Sequence, residues 1–219
     1  MNSEHVQRSL FDGVHNDLSA YTVVTESAKI VGLKYIVDFI DHDTHDQILS
    51  QVDASPWLSD LKRRVQHYGY KYDYKSRIIN YSMRIGPLPV WAEKLAVQLC
   101  QRGLMKEMAD QLIVNEYLPG QGIANHVDCV PCFTDTIASL SLGSSCVMNF
   151  TNKQTEQSIP IWLEPRSLVV LQDEARYAWT HGIASRKSDP FQGRTIQRSR
   201  RVSLTFRKVI LASTVGSGL

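Results

Sequence analysis

From Gln111 to Val209 the chain falls into short segments rich in β-branched and aromatic residues. They are QLIVNEYL (111–118), IASLSLG (137–143), CVMNF (146–150), SIPIWLE (158–164), SLVVLQ (167–172) and RVSLTFRKV (201–209), punctuated by Gly120, Gly122, Gly143, Pro165 and Gly182. Such a run of short strands with turn formers between them is expected to close into a sandwich or barrel. The first half reads differently. Residues 1–26 are polar and aperiodic and read as a flexible leader. KIVGLKYIVDFI (29–40) suits one or two strands. Thr44-His45-Asp46-Gln47 has the spacing of a capping box, with Ile48, Leu49 and Val52 following on one helical face until Pro56. Pro89 opens a second helix, in which Trp91, Leu95 and Leu99 recur every four residues until Gly103. Helices followed by strands predict an α+β fold. No internal repeat or low-complexity linker interrupts it, so one domain is expected over residues 27–213.

Composition narrows the class. The 219 residues carry a net charge of +2, with 43% hydrophobic and 21% charged residues, which excludes wholesale disorder. No apolar run approaches the roughly 18 residues of a membrane span, and the N-terminal stretch lacks the apolar centre of a signal peptide. A cytoplasmic protein, or a nuclear one in a eukaryote, with no membrane partner is expected. The four cysteines, at 100, 129, 132 and 146, are too few and too clustered for a disulfide framework.

Of seven histidines, at 5, 15, 42, 45, 67, 126 and 181, most are expected to be surface or core residues. His126-Val127-Asp128 differs because, in extended chain, positions i and i+2 project from one face, so an imidazole and a carboxylate can share one ion. His181 is the only histidine downstream. It would complete a two-His-one-carboxylate set, which leaves coordination positions open and suits Fe(II). Gly182 behind it permits close backbone approach. The same His-x-Asp spacing at His15-Asn16-Asp17 lies in the leader, and His42 and His45 surround a helix cap, so neither pair is expected to bind metal. Cys129-Val130-Pro131-Cys132 has no second pair to make a zinc site and reads as a loop beside the metal residues.

In the last strand Arg201, Ser203, Thr205 and Arg207 point one way, and Val202, Leu204 and Phe206 the other. On a half-exposed strand the polar face would be wet. If it lines a barrel mouth instead, the two guanidinium forks can address a dicarboxylate. Asn115 and Tyr117 share one face of another strand, and together these groups could bind both ends of 2-oxoglutarate.

Asn115-x-Tyr117, Pro119-Gly120, His126-x-Asp128, the Ser139–Gly143 strand, His181-Gly182-Ile183 and Arg201-x5-Arg207 occur in the order and spacing of the AlkB family of Fe(II)/2-oxoglutarate dioxygenases, which the chain resembles over residues 30–210. The resemblance implies a double-stranded β-helix (jelly roll) with N-terminal supporting helices and a nucleotide-recognition lid, and makes 113–209 the catalytic core. It implies iron at His126, Asp128 and His181, and 2-oxoglutarate at Asn115, Tyr117, Arg201, Ser203 and Arg207. Arg201 would take the distal carboxylate and Arg207 the end near Asp128. Ser203 stands where several members carry Asn. The loop CVPCFTD (129–135) lacks the acidic residue that some DNA-repair members place close behind the His-x-Asp, so base preference does not carry over.

Residues 117–123 with 165–168 and 179–183 look most like the tRNA-modifying homologues. The implied chemistry consumes O2 and 2-oxoglutarate, releasing succinate and CO2. A hydroxylated N-methyl group then leaves as formaldehyde, whereas a hydroxyl on a carbon side chain stays. A nucleic-acid partner, DNA or RNA including tRNA, must present a single-stranded or flipped base. Tyr68, Tyr70, Tyr72 and Tyr74 alternate as stacking faces of a half-exposed strand would, and Arg63, Arg64, Lys71, Lys75 and Arg77 could meet phosphates. Nine Lys/Arg against one acidic residue over 176–208 suggest a basic face beside the site. A monomer is expected. The alternatives are a protein side-chain hydroxylase or demethylase of the same chemistry, and a non-catalytic nucleic-acid-binding module.

Overall fold

The computed structural model of the protein describes residues 26–59, 62–72 and 77–212. The expected leader lies outside the described residues but for Glu26, as do Tyr74 and Lys75. The strands are β1 (Leu33–Ile36), β2 (Val65–Tyr68), β3 (Gln111–Tyr117), β4 (Ile123–His126), β5 (Phe133–Gly143), β6 (Cys146–Asn152), β7 (Ser158–Leu163), β8 (Leu168–Leu171), β9 (Trp179–Ile183), β10 (Ser188–Phe191), β11 (Arg194–Gln197) and β12 (Arg201–Val209). A larger sheet runs β1-β8-β5-β12-β3-β2 and a smaller one β4-β9-β6-β7, while β10 and β11 form a separate hairpin. The two antiparallel sheets face each other as the sandwich expected from the strand pattern, in the jelly roll that the resemblance implied. No described helix is long and apolar enough to cross a membrane.

Period-two alternation divides the larger sheet's residues between two cores. Leu112 and Val114 of β3, Leu140 and Leu142 of β5, and Leu204 and Phe206 of β12 form one cluster with the helices α1 (His42–Asp53) and α2 (Val90–Gln101), through Ile48, Val52, Leu95 and Leu99. The intervening positions face the smaller sheet, where Ile137, Val169 and Leu171 join Met148, Phe150 and Ile161. The polar face of β12 therefore meets protein. Arg201, Ser203 and Arg207 are only 3%, 5% and 4% exposed.

Two local expectations are corrected. The first helix is capped by Asp41, whose carboxylate accepts from the Thr44 N–H at 2.8 Å, so Thr44 lies inside the first turn. An anionic cap also meets the positive end of the helix dipole. The stretch 29–40 yields one short strand, β1, of the one or two expected. Gly32 at φ +82° approaches Gln172 so closely that a Cβ would lie 2.1 Å from that carbonyl oxygen, and this contact sets where the strand begins. The tyrosine alternation ends at Tyr68, because Gly69 takes φ +80° against the Asp110 carbonyl. Beyond that turn Tyr70 and Tyr72 are buried in the inter-sheet core, at 7% and 8% exposure.

The hairpin β10–β11 was not legible. Its turn, Gln192-Gly193, has both φ values positive, as a two-residue hairpin turn requires. It is anchored by the buried Asp189, whose carboxylate accepts from Arg186 and Arg198.

Candidate active site

Between the sheets lies a cavity of about 380 Å³. His126, Asp128, His181, Asn115, Tyr117, Arg201, Ser203 and Arg207, named above from sequence, all line it. Register explains the convergence. In the smaller sheet His126 on β4 stands directly opposite His181 on β9. In the larger sheet β12 lies between β3 and β5, pairing Arg201 with Tyr117 and Ser203 with both Asn115 and Ser141.

The two imidazoles and the carboxylate offer one ligand atom each within 4.8 Å of one another. His126 Nδ1 lies 2.9 Å from the Ala124 carbonyl oxygen. A carbonyl can only accept, so Nδ1 carries the proton and Nε2 keeps a lone pair, the arrangement found behind metal-bound histidines. Asp128 Oδ1 accepts from Arg207 Nη1 at 2.8 Å, and Oδ2 lies 3.6 Å from His181 Nε2. This donor set fits a single Fe(II). Among the described residues His126, Asp128 and His181 are the one such group of His, Cys, Asp or Glu. His42 and His45 do not join it. His45 Nε2 accepts from the Gly143 N–H and its Nδ1 meets Asp46, so it ties α1 to the end of β5.

The opposite wall fits an anion. Arg201 Nη2 donates to Ser141 Oγ at 2.9 Å, while its Nε and Nη1, and Nη2 of Arg207, are buried with no hydrogen-bond partner among the described residues. Buried guanidinium N–H groups without acceptors are costly unless a ligand supplies them. A dicarboxylate would do so at two points.

Burial pushes the Asp128 carboxyl up. The Arg207 guanidinium, followed by the two imidazoles and Arg176, more than offsets this and holds it below the usual carboxylate range. Burial, reinforced by His126, drives His181 down from 6.5 to about 4. Between those values the unfolded chain binds the proton that the fold refuses, so stability falls as pH falls. The metal-free protein should lose about 2 kcal/mol between pH 7.5 and pH 5 from this imidazole alone. Urea denaturation of chelator-treated protein at both pH values measures it, and His181→Asn should flatten the difference.

The loop carrying Asp128 is held from behind. Arg176, in the short helix α3 (Asp173–Tyr177), is only 1% exposed and donates to the carbonyls of Asp128, Cys129, Phe133 and Thr134 at 2.9–3.4 Å. The Cys129–Cys132 disulfide closes the same loop, so these sulfurs are bonded to each other. Gly182 lets β9 approach β4, for a Cβ there would fall 2.2 Å from Asn125 Oδ1 and 2.9 Å from the Asn125 backbone nitrogen. Gly182→Ala should part His126 from His181 and weaken Mn(II) binding by about 10–100-fold, the range for disturbing what supports metal ligands. Titration of Mn(II) followed by its electron paramagnetic resonance signal would read that loss.

The expected base-stacking residues fare less well. Tyr68 packs edge-on against Trp91 at 6.0 Å, and its hydroxyl donates to Gln66, away from the cavity. Tyr70 is buried outside the cavity wall, and Arg77 is exposed and does not line it. Of these four only Tyr72 reaches the cavity, with its ring 5.5 Å from Phe133. The basic run over 176–208 is also largely spoken for. Arg176, Arg201 and Arg207 are buried, Arg186 and Arg198 pair with Asp189, Arg200 with Asp53 and Glu116, and Lys208 with Asp110. Lys187 and Arg194 remain exposed.

Sequence reasoning gave no individual role to Ser141 or Arg176, and it offered Arg63 only as a phosphate contact, whereas Arg63 lines the cavity beside Asn115. Ser141 had a signal, because Ser139 and Ser141 alternate with Leu140 and Leu142 and so face the same side as the arginines. Arg176 had none, since its acceptors are backbone carbonyls more than 40 residues away.

The sequence profile of the 2OG-Fe(II) oxygenase superfamily matches residues 50–207. The chain is 36% identical over 217 residues to the alkylated DNA repair protein ALKBH8 homologue of Arabidopsis thaliana, covering 89% of this chain and 63% of that one. It is 38% identical over 199 residues to the tRNA (carboxymethyluridine(34)-5-O)-methyltransferase alkbh8 of Xenopus tropicalis, covering 81% of this chain and 32% of that protein. It thus spans less than two thirds of the length of either relative. The solved structure of OsALKBH1 shares the fold, with a TM-score of 0.63 at 16% identity over 81% of this chain and 96% of that one.

Proposed function

Because this chain belongs to the 2OG-Fe(II) oxygenase superfamily, among its AlkB homologues, we propose that it oxidises a modified base in nucleic acid, by demethylation or by hydroxylation. One observation carries the reading. Three metal-competent side chains and two buried guanidiniums with unmet N–H groups line one cavity, as an iron and a dicarboxylic keto acid together require. Iron with 2-oxoglutarate and O2 would couple decarboxylation of the keto acid to insertion of oxygen into a substrate C–H bond.

The chain's own residues supply placement and charge. His126, Asp128 and His181 would hold the metal, with Arg207 steadying the carboxylate. Arg201, oriented by Ser141, would take the distal carboxylate, with Asn115, Tyr117 and Ser203 beside it and Arg207 at the near end. Apolar walls from Ile137, Met148 and Leu171 keep the reacting region dry. Residues 27–213 would act as one unit, with 113–209 its core, as a cytoplasmic monomer on a single-stranded or flipped base. The names of these relatives favour tRNA and alkylated DNA as the first substrates to test.

Purified protein with Fe(II), ascorbate and 2-oxoglutarate should release succinate in step with a modified base in methylated single-stranded oligonucleotide or in tRNA. Succinate formation that no nucleic acid stimulates would overturn the substrate class. Failure of Mn(II) with 2-oxoglutarate to raise the melting temperature would overturn the site itself.

A further inference from the structure

Arg63 sits in the loop before β2, half-buried, and also lines the cavity. Its Nε donates to Asn115 Oδ1 at 2.8 Å, and its guanidinium carbon lies 5.7 Å from the centre of the Tyr117 ring. A guanidinium can only donate, so the atom it meets must be the carbonyl oxygen of the amide. That fixes which way the Asn115 amide faces. Its oxygen is engaged on the Arg63 side, and its –NH2 group is left as the part that can serve the cavity. Asn115 stands beside Ser203, next to Arg201 and Tyr117 across the β3–β12 ladder. An amide free to flip would offer a carboxylate its oxygen as readily as its nitrogen, and the oxygen repels.

We infer that Arg63 is a positioning residue for cosubstrate binding. By holding the Asn115 oxygen it presents the amide N–H groups, beside Tyr117, as preset donors to the carboxylate of 2-oxoglutarate. The inference rests on the placement of 2-oxoglutarate at Asn115 and Arg201, and it goes beyond it in naming a residue 52 positions away in sequence that sets the polarity of that wall.

The test is a double-mutant cycle on the full chain, reading 2-oxoglutarate affinity by calorimetry in the presence of Mn(II). Arg63→Ala should weaken 2-oxoglutarate about tenfold, the worth of a charge-assisted hydrogen bond at the lower end of its range. In an Asn115→Ala background the same change should cost less than about twofold, because the group it orients is gone. Mn(II) affinity without 2-oxoglutarate should stay unchanged in Arg63→Ala, which separates positioning from misfolding. In turnover, KM for 2-oxoglutarate should rise more than kcat falls.

An unchanged affinity in Arg63→Ala would overturn the proposal. So would an equal loss in both backgrounds, since that would make Arg63 a simple attracting charge. If the unaltered protein binds Mn(II) but no 2-oxoglutarate, the cosubstrate placement beneath the proposal falls with it.

Discussion

Alanine at His181 is expected to abolish 2-oxoglutarate turnover while leaving the protein folded. The imidazole supplies one of three donor atoms gathered within 4.8 Å, and His126 and Asp128 supply the other two. No described His, Cys, Asp or Glu stands ready to replace it. Loss of a ligand should cost well beyond the roughly 10–100-fold that follows from disturbing a ligand's support. The fold should survive because β9 is held by its backbone ladders to β4 and β6, not by this side chain. The buried His181 Nδ1 has no partner among the described residues, so its removal also relieves an unmet polar group. Succinate release and the Mn(II)-induced rise in melting temperature should both vanish, with a metal-free melting temperature close to that of the unaltered protein. Turnover that persists in His181→Ala would show the metal residues to be misassigned.

Arg207→Met is expected to do the opposite and damage the fold along with the site. Arg207 is buried and donates through Nη1 to the buried Asp128 carboxylate at 2.8 Å and through Nε to Gln111 at 2.8 Å, with its guanidinium carbon 4.2 Å from the centre of the Phe133 ring. Removing one partner of a buried pair leaves an uncompensated charge in a dry environment and costs about 3–5 kcal/mol. At about 2–4 °C per kcal/mol for a chain of this size, the melting temperature should fall by roughly 6–20 °C. Adding Asp128→Asn to Arg207→Met removes both charges and should restore most of that loss without restoring activity. A double variant no more stable than Arg207→Met would show that the ion pair is not what holds this end of β12.

Much of the site was legible because its chemistry is local in the strands. Asn115 and Tyr117 are two apart on β3, and Arg201, Ser203 and Arg207 alternate with Val202, Leu204 and Phe206 on β12, so pleating alone puts each set on one face. Asp128, by contrast, lies in the loop two residues past the end of β4 and is held there by Arg176 and Arg207. The stacking tyrosines failed for an equally local reason. Period two was extended through Gly69, whose positive φ and close approach to Asp110 break the strand and send Tyr70 and Tyr72 into the core. The basic run failed for a distant one, since Arg200 is neutralised by Asp53, 147 residues away, and Lys208 by Asp110, 98 residues away.

By itself the sequence determined which side chains of a strand share a face, where six strands of the C-terminal half and the two long helices lie, and which residue types could hold a metal and an anion. Only the tertiary structure decided that the polar face of β12 meets a second sheet and not water. It also brought Arg63, Ser141 and Arg176 behind the residues they support. Pleating fixes neighbours along a strand, but burial and charge partners depend on which distant segment packs against that face.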